Sequence, residues 1–182
     1  MFFYLLPFII LITILVAVYI LPEIVDFGKS SMSSFESFIT SFWKENESIS
    51  GGEYYRLATA SFLHSDVYQL LYSIFGIFIF RYVLDDLILK GYTQPSLIYL
   101  GIFLLAGVIG NLTSYIFNPE SSLGANGAIF GFVGYLLTSS FDLNILFYVV
   151  ISFAFATIPG SRIDIYSQLG GLLAGIVVAI II

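Results

Sequence analysis

The chain has no cysteine, and its 182 residues include one histidine, one tryptophan and six basic side chains. The lack of cysteine excludes disulfides, thiolate metal sites and a thiol nucleophile. A lone imidazole, His64, excludes a histidine-rich metal centre within one chain. Twelve acidic residues against six basic ones leave a net charge of −6, so there is no basic face for nucleic acid. Neither G-x-x-x-x-G-K-[ST] nor G-x-G-x-x-G occurs, which removes the usual nucleotide-binding signals. No cofactor, metal, nucleotide or nucleic-acid partner is expected.

Charge is scarce as well. Only 10% of residues are charged, where a soluble domain carries about 25%. What replaces charge is apolar: 59% of residues are hydrophobic, with 19 Phe and 13 Tyr, and the mean hydropathy is +1.00. A water-soluble fold of this length has too little interior to hide that surface, so part of the solvent is lipid. The abundant Phe and Tyr suit lipid-facing surfaces and interfacial belts.

Uncharged stretches of the length a bilayer requires predict an all-α membrane protein with six spans, over residues 2–21, 65–84, 95–117, 122–141, 143–161 and 165–182. The first has no basic residue before it and no small-residue cleavage site after it, and reads as a retained helix. The second is expected to begin near Ser65 and to run past Arg81, which can snorkel. Pro22, Pro95, Pro119 and Pro159 fall at span edges. Only Asp142 and Asn144 mark the turn between spans four and five. No domain boundary appears. The one long polar segment, residues 23–66, contains Met32, Phe35, Phe38, Ile39, Phe42 and Trp43 at three- and four-residue spacing. Ser33 and Glu36 form a possible capping box ahead of them. This is an amphipathic helix, lying in the membrane interface or packed on the protein's own spans. The few basic residues, Lys29, Lys44, Arg56, Arg81, Lys90 and Arg162, give the positive-inside rule little to count.

Two spans carry glycine faces. Gly124, Gly127, Gly131 and Gly134 line one stripe of span four, and Gly171, Gly175 and Ala179 one stripe of span six. Small residues at this spacing let helix backbones approach closely in lipid, so these two spans are expected to touch. Spacing alone favours plain packing over a site. Polar residues narrow the reading. Asn126 stands beside the first stripe, Gln168 on the face of the second, and Gln69 and Ser73 share a face of span two. Polar groups inside a membrane are paired or functional. An Asn126–Gln168 amide pair across spans four and six would be worth about 0.6–2 kcal/mol.

Three segments carry a family resemblance. GANGAIFGFVG at 124–134 resembles the rhomboid intramembrane protease motif G-x-S-G with spaced glycines. SQLGGLLAG at 167–175 resembles the family's last-helix motif, in which His precedes G-x-x-x-G. YYRLATASFLHSDVYQLLYSIFG at 54–76 resembles W-R-x-x-T…F-L-H-x-x-x-x-H-L-L-x-N, with Arg56, Thr59 and His64 matching and Tyr55 in place of Trp. The resemblance covers nearly the whole chain. It implies a compact six-helix bundle whose water-filled site takes a Ser from span four, a His from span six, and oxyanion donors from span two.

Carried over position by position, that site is emptied here. The nucleophile position is Asn126, which has no hydroxyl to deprotonate. The base position is Gln168, whose amide does not titrate near neutral pH. The two oxyanion positions are Gln69 and Ser73. Arg56 and His64 match loop positions and are expected to anchor the first loop. Lys29, Lys44 and Lys90 lie outside the spans, so no lysine is placed as a base. The resemblance to inactive rhomboids and to derlins implies a pseudoprotease that binds transmembrane segments of client proteins in the lipid bilayer without cutting them. Two alternatives stand beside it: an active rhomboid with atypical residues, and a small transporter or channel subunit. The last is weakened by the lack of charge inside spans three to six.

Overall fold

The structure, a computed structural model, describes residues 5–25, 33–140, 143–156 and 163–182. Residues 2–4 of the first expected span, Lys29, Met32, Asp142, Pro159, Arg162 and residues 157–161 of the fifth lie outside them. The described residues are helical, with no strand beyond an isolated bridge between Lys44 and Ser122. The elements are α1 (Leu6–Ile24), α2 (Ser34–Phe42), α3 (Asn46–Ser50), α4 (Arg56–Thr59, continued by a 3₁₀ turn, Ala60–Phe62), α5 (Val67–Ile79), α6 (Tyr82–Leu89), α7 (Pro95–Phe117), α8 (Asn126–Ser139), α9 (Leu143–Ala156) and α10 (Ile165–Ile181).

Proline and small polar residues set several helix ends. Pro95 opens α7 at a position where its missing N–H costs nothing. Asp66 caps α5 by accepting from the Gln69 N–H, and Asp164 caps α10 by accepting from Tyr166 and Ser167. Ser33 and Glu36 form the reciprocal capping box of α2. Pro22 lies inside the last turn of α1 rather than at its edge.

Two stretches, Val67–Leu89 and Pro95–Phe117, are each long and apolar enough to cross a bilayer. The first is not one smooth helix. Arg81 and Val83 donate to carbonyls only three residues back, those of Phe78 and Phe80, which tightens the chain between α5 and α6. α8 is shorter than its apolar run. Its 14 residues rise about 21 Å, less than a bilayer core of about 30 Å. The residues before it, 122–125, are non-helical and inserted among the helices, and every residue from 122 to 136 is buried. A helix apolar on every side belongs at the centre of a bundle.

α7 and α10 enclose that centre. A Cβ on Gly171 would overlap the carbonyl oxygen of Gly127, and one on Gly175 that of Gly131. Both contacts step four residues on each helix, so α8 and α10 run parallel. A Cβ on Gly131 would strike Ala106 of α7, and one on Gly134 the Leu172 carbonyl. Tyr99 of α7 stacks on Phe132 of α8 with ring centroids 4.2 Å apart. α1 closes one flank of the core, with Leu11 and Leu15 buried among residues of α5 to α8. The amphipathic helix α2 turns part of its apolar face inward. Phe38 and Ile39 are buried against Leu63 and Leu123, with Val18 beside them.

Gly171→Ala is expected to destabilise the protein by about 1–3 kcal/mol, because the added methyl meets backbone that cannot step aside. Gly101→Ala, where a Cβ meets nothing within 4 Å, should leave the thermal midpoint in detergent unchanged or higher. Equal midpoints for the two variants would refute the backbone contact.

Candidate functional site at the start of α8 and α10

Three parts of the chain hold the segment that delivers Asn126. Lys44 and Ser122 exchange both backbone hydrogen bonds at 3.0 Å. The Gly124 N–H donates to the Ala60 carbonyl at 2.9 Å. Gln69 Nε2 donates to the Leu123 carbonyl at 3.2 Å. The turn into α8 is made at Gly124, whose φ of +118° disfavours any side chain. A Cβ there would also lie 2.9 Å from Gln69 Nε2 and 3.8 Å from Asn126 Nδ2. The carboxamides of Gln69 and Asn126 therefore flank one point. Gln69 is fixed at its other end, where Oε1 accepts from the Ser65 N–H at 2.7 Å and from Ser65 Oγ at 3.2 Å.

Asn126 and Gln168 open their two apposed helices at the same end of the bundle. Asn126 is 4% exposed and Gln168 fully buried. The amide pair expected between them is not made. Among the described residues, Asn126 Oδ1 and both Gln168 Nε2 and Oε1 have no hydrogen-bond partner. Each buried polar atom in that condition costs about 1–3 kcal/mol. The glycine contacts bring the two backbones together, and Ser167, the neighbour of Gln168, sits against Gly127 and Gly110.

Ser73 is fully buried and its Oγ lies 2.9 Å from His64 Nε2. His64, 1% exposed, thus ties the first loop to α5 through a residue of the site. Its pKa is pushed down to about 4 by burial, against a smaller upward pull from the Phe62 carbonyl and Asp66. Among the described residues Nδ1 has no well-aligned partner. Arg56 braces the other side of the loop. It donates to Glu53 Oε2 at 2.6 Å and to the carbonyls of Thr40 and Trp43 at 2.8 and 3.1 Å.

A polar cluster beside the site has no counterpart in the sequence reading. Lys44, placed outside the spans as a loop residue, is fully buried. Its Nζ donates to the carbonyls of Asn118 and Glu120 at 2.8 and 2.6 Å. Burial lowers its pKa, opposed by the negative charges of Asp164 and Glu120. Asp164 Oδ2 accepts from Ser114 Oγ, and from Asn118 Nδ2 at 3.2 Å. The capping role of Asp164 was readable from its place before an apolar run. The burial of Lys44 was not, since nothing local marks a lysine as enclosed.

Residues 51–182 match the Rhomboid domain family. The chain belongs to the rhomboid family. It is an integral membrane protein with an all-α bundle. It is 31% identical over 142 residues to rhomboid protease GluP of Bacillus subtilis, covering 72% of this chain and 27% of that one. It is 30% identical over 158 residues to the mitochondrial RHOMBOID-like protein 6 of Arabidopsis thaliana, covering 80% and 48%. It is also 30% identical over 138 residues to inactive rhomboid protein 1 of Rattus norvegicus, covering 68% and 15%. The chain therefore spans between about a seventh and a half of these relatives' lengths.

Two outcomes test the anchoring of this rhomboid's first loop. Unfolded histidine titrates near 6.5 and folded His64 near 4. Between those values the unfolded chain holds the extra proton. Stability should be flat above pH 6.5 and fall by up to about 3 kcal/mol as pH drops towards 4. His64→Gln should flatten that slope in thermal melts across pH. Lys44→Met, which keeps the length and removes the donor, should cost about 1–3 kcal/mol and speed proteolysis between α7 and α8.

Proposed function

We propose that this chain is a rhomboid-like pseudoprotease, a six-span bundle that binds transmembrane segments of client membrane proteins without cleaving them. The observation that carries the reading is the chemistry at the head of α8 and α10. Asn126 and Gln168 occupy the dyad positions of the family resemblance, and neither can supply a nucleophile or move a proton. Losing either member of such a pair removes most covalent catalysis. The scaffold that would receive a client is otherwise complete: an apposed α8 and α10, a braced first loop, and Gln69 beside Asn126. Three unpartnered amide atoms offer donors and an acceptor pair to the main chain of an entering segment. A relative that carries "inactive" in its name gives the reading precedent, while another is named a protease.

One observation favours a cleaving rhomboid. Ser73 and His64 stand at the separation of a nucleophile and its base. Three facts weigh against it. Both residues are enclosed, His64 is held neutral as a weak base, and its Nδ1 lacks an orienting carboxylate.

The test uses the purified full chain in proteoliposomes, with transmembrane substrate peptides and a fluorophosphonate probe. The expected result is neither cleavage nor labelling above a heat-killed control, together with photocrosslinking to the same peptides. Asn126→Ser with Gln168→His is expected to gain probe labelling. Cleavage by the native chain overturns the proposal, and its loss in Ser73→Ala would assign the chemistry to the Ser73–His64 pair.

A further inference from the structure

The opposite end of the bundle holds a cavity of about 330 Å³ between α6, the end of α8 and the start of α9. That size lies at the lower limit of small-molecule sites, about 300–1,000 Å³. Its walls are of two kinds. Ile79, Leu136 and Ile145 form an apolar floor, while Tyr82, Asp85 and Asp86 line the polar side.

The two carboxylates differ. Asp86 is fully engaged. Oδ2 accepts from Tyr135 OH at 2.8 Å and pairs with Lys90 Nζ at 3.1 Å, and Oδ1 accepts from Ser140 Oγ at 2.7 Å. Asp85 is exposed. Among the described residues the ion pairs are Arg56–Glu53 and Lys90–Asp86, and neither uses it. Among the described residues the cavity therefore carries one carboxylate without an ion pair beside an apolar floor, at the end of a membrane span. The exposed Tyr82 ring beside it is already covered by the Arg81 guanidinium, 5.1 Å from the ring centroid.

We propose that this cavity binds an aminophospholipid of the surrounding bilayer, with its ammonium on Asp85 and the start of one acyl chain on Leu136 and Ile145. Charge complementarity selects the head and the floor selects the chain. Arg81, whose guanidinium lies 5.1 Å from the ring centroid of the lining residue Tyr82, supplies a positive charge for the phosphate diester. The site stands at the far end of α8 from Asn126, so it is independent of whether the chain cleaves a client.

The experiment uses delipidated full-length protein in detergent. Thermal midpoints are measured with phosphatidylethanolamine and with phosphatidylglycerol of the same acyl chains, which lacks the ammonium. The expected result is a rise of several degrees with phosphatidylethanolamine alone, and at least tenfold weaker retention of phosphatidylglycerol in native mass spectrometry. Asp85→Asn should abolish both differences while melting like the native chain without lipid, because Asp85 is exposed. Ile145→Trp, which fills the floor, should also suppress the rise. Equal responses to the two lipids, no response to either, or a preference that survives in Asp85→Asn overturns the proposal.

Discussion

The carbonyl oxygens of Gly127 and Gly131 occupy the space that side chains on Gly171 and Gly175 would fill. In lipid there is no hydrophobic gain from burying one apolar helix against another, so close van der Waals contact has to hold such helices together. Four glycines allow α8 and α10 to meet backbone to backbone. Ala106 and Gly110 of α7 extend the same contact to a third helix. α8 can then sit at the centre with no lipid-facing side. Its short length follows, because its first turn need not reach a surface. Asn126 begins the helix inside the protein, and the segment before it is held by backbone hydrogen bonds from the first loop and the 3₁₀ turn.

That arrangement makes the loops more than connectors. A non-helical backbone inserted among helices must have its polar groups satisfied by protein. Lys44 does this for the Asn118 and Glu120 carbonyls, Gln69 for Leu123, and Arg56 for Thr40 and Trp43. Each is a charged or amide side chain directed to main-chain carbonyls, which explains why Lys44 and Arg56 are buried in so apolar a chain. Asp164 balances Lys44 nearby, and it also caps α10 and accepts from Ser114 and Asn118. The geometry of the site thus depends on ionic and amide contacts outside it.

Much of this was legible because it repeats. Glycines four residues apart name a contact face, and Pro95 and the stretch after it give α7 to the residue. The capping box of α2 was visible in Ser33 and Glu36. Features without a period were not legible. The burial of Lys44 depends on two carbonyls more than seventy residues away. The break between α5 and α6 has no proline or glycine to announce it. The Asn126–Gln168 pair failed for a related reason: sequence places both residues at one end of touching helices, but spacing does not encode the direction of each side chain.

The two amides are informative as replacements. On the proposed pseudoprotease reading, glutamine is close to histidine in length, and asparagine, like serine, is small and polar, so the scaffold can keep its shape while losing proton transfer. An apolar residue at either position would be the simpler way to fill a membrane interior, since it leaves no donor or acceptor unmatched. Amides instead keep a cost of about 1–3 kcal/mol for each unpartnered atom. A group of matching polarity, whether water or main chain, offsets that cost. A main-chain amide has the same donor and acceptor as the side chains that would meet it. The retained polarity of Asn126 and Gln168 is therefore what the proposed client-binding role would use, and it is a polarity that packing alone does not require.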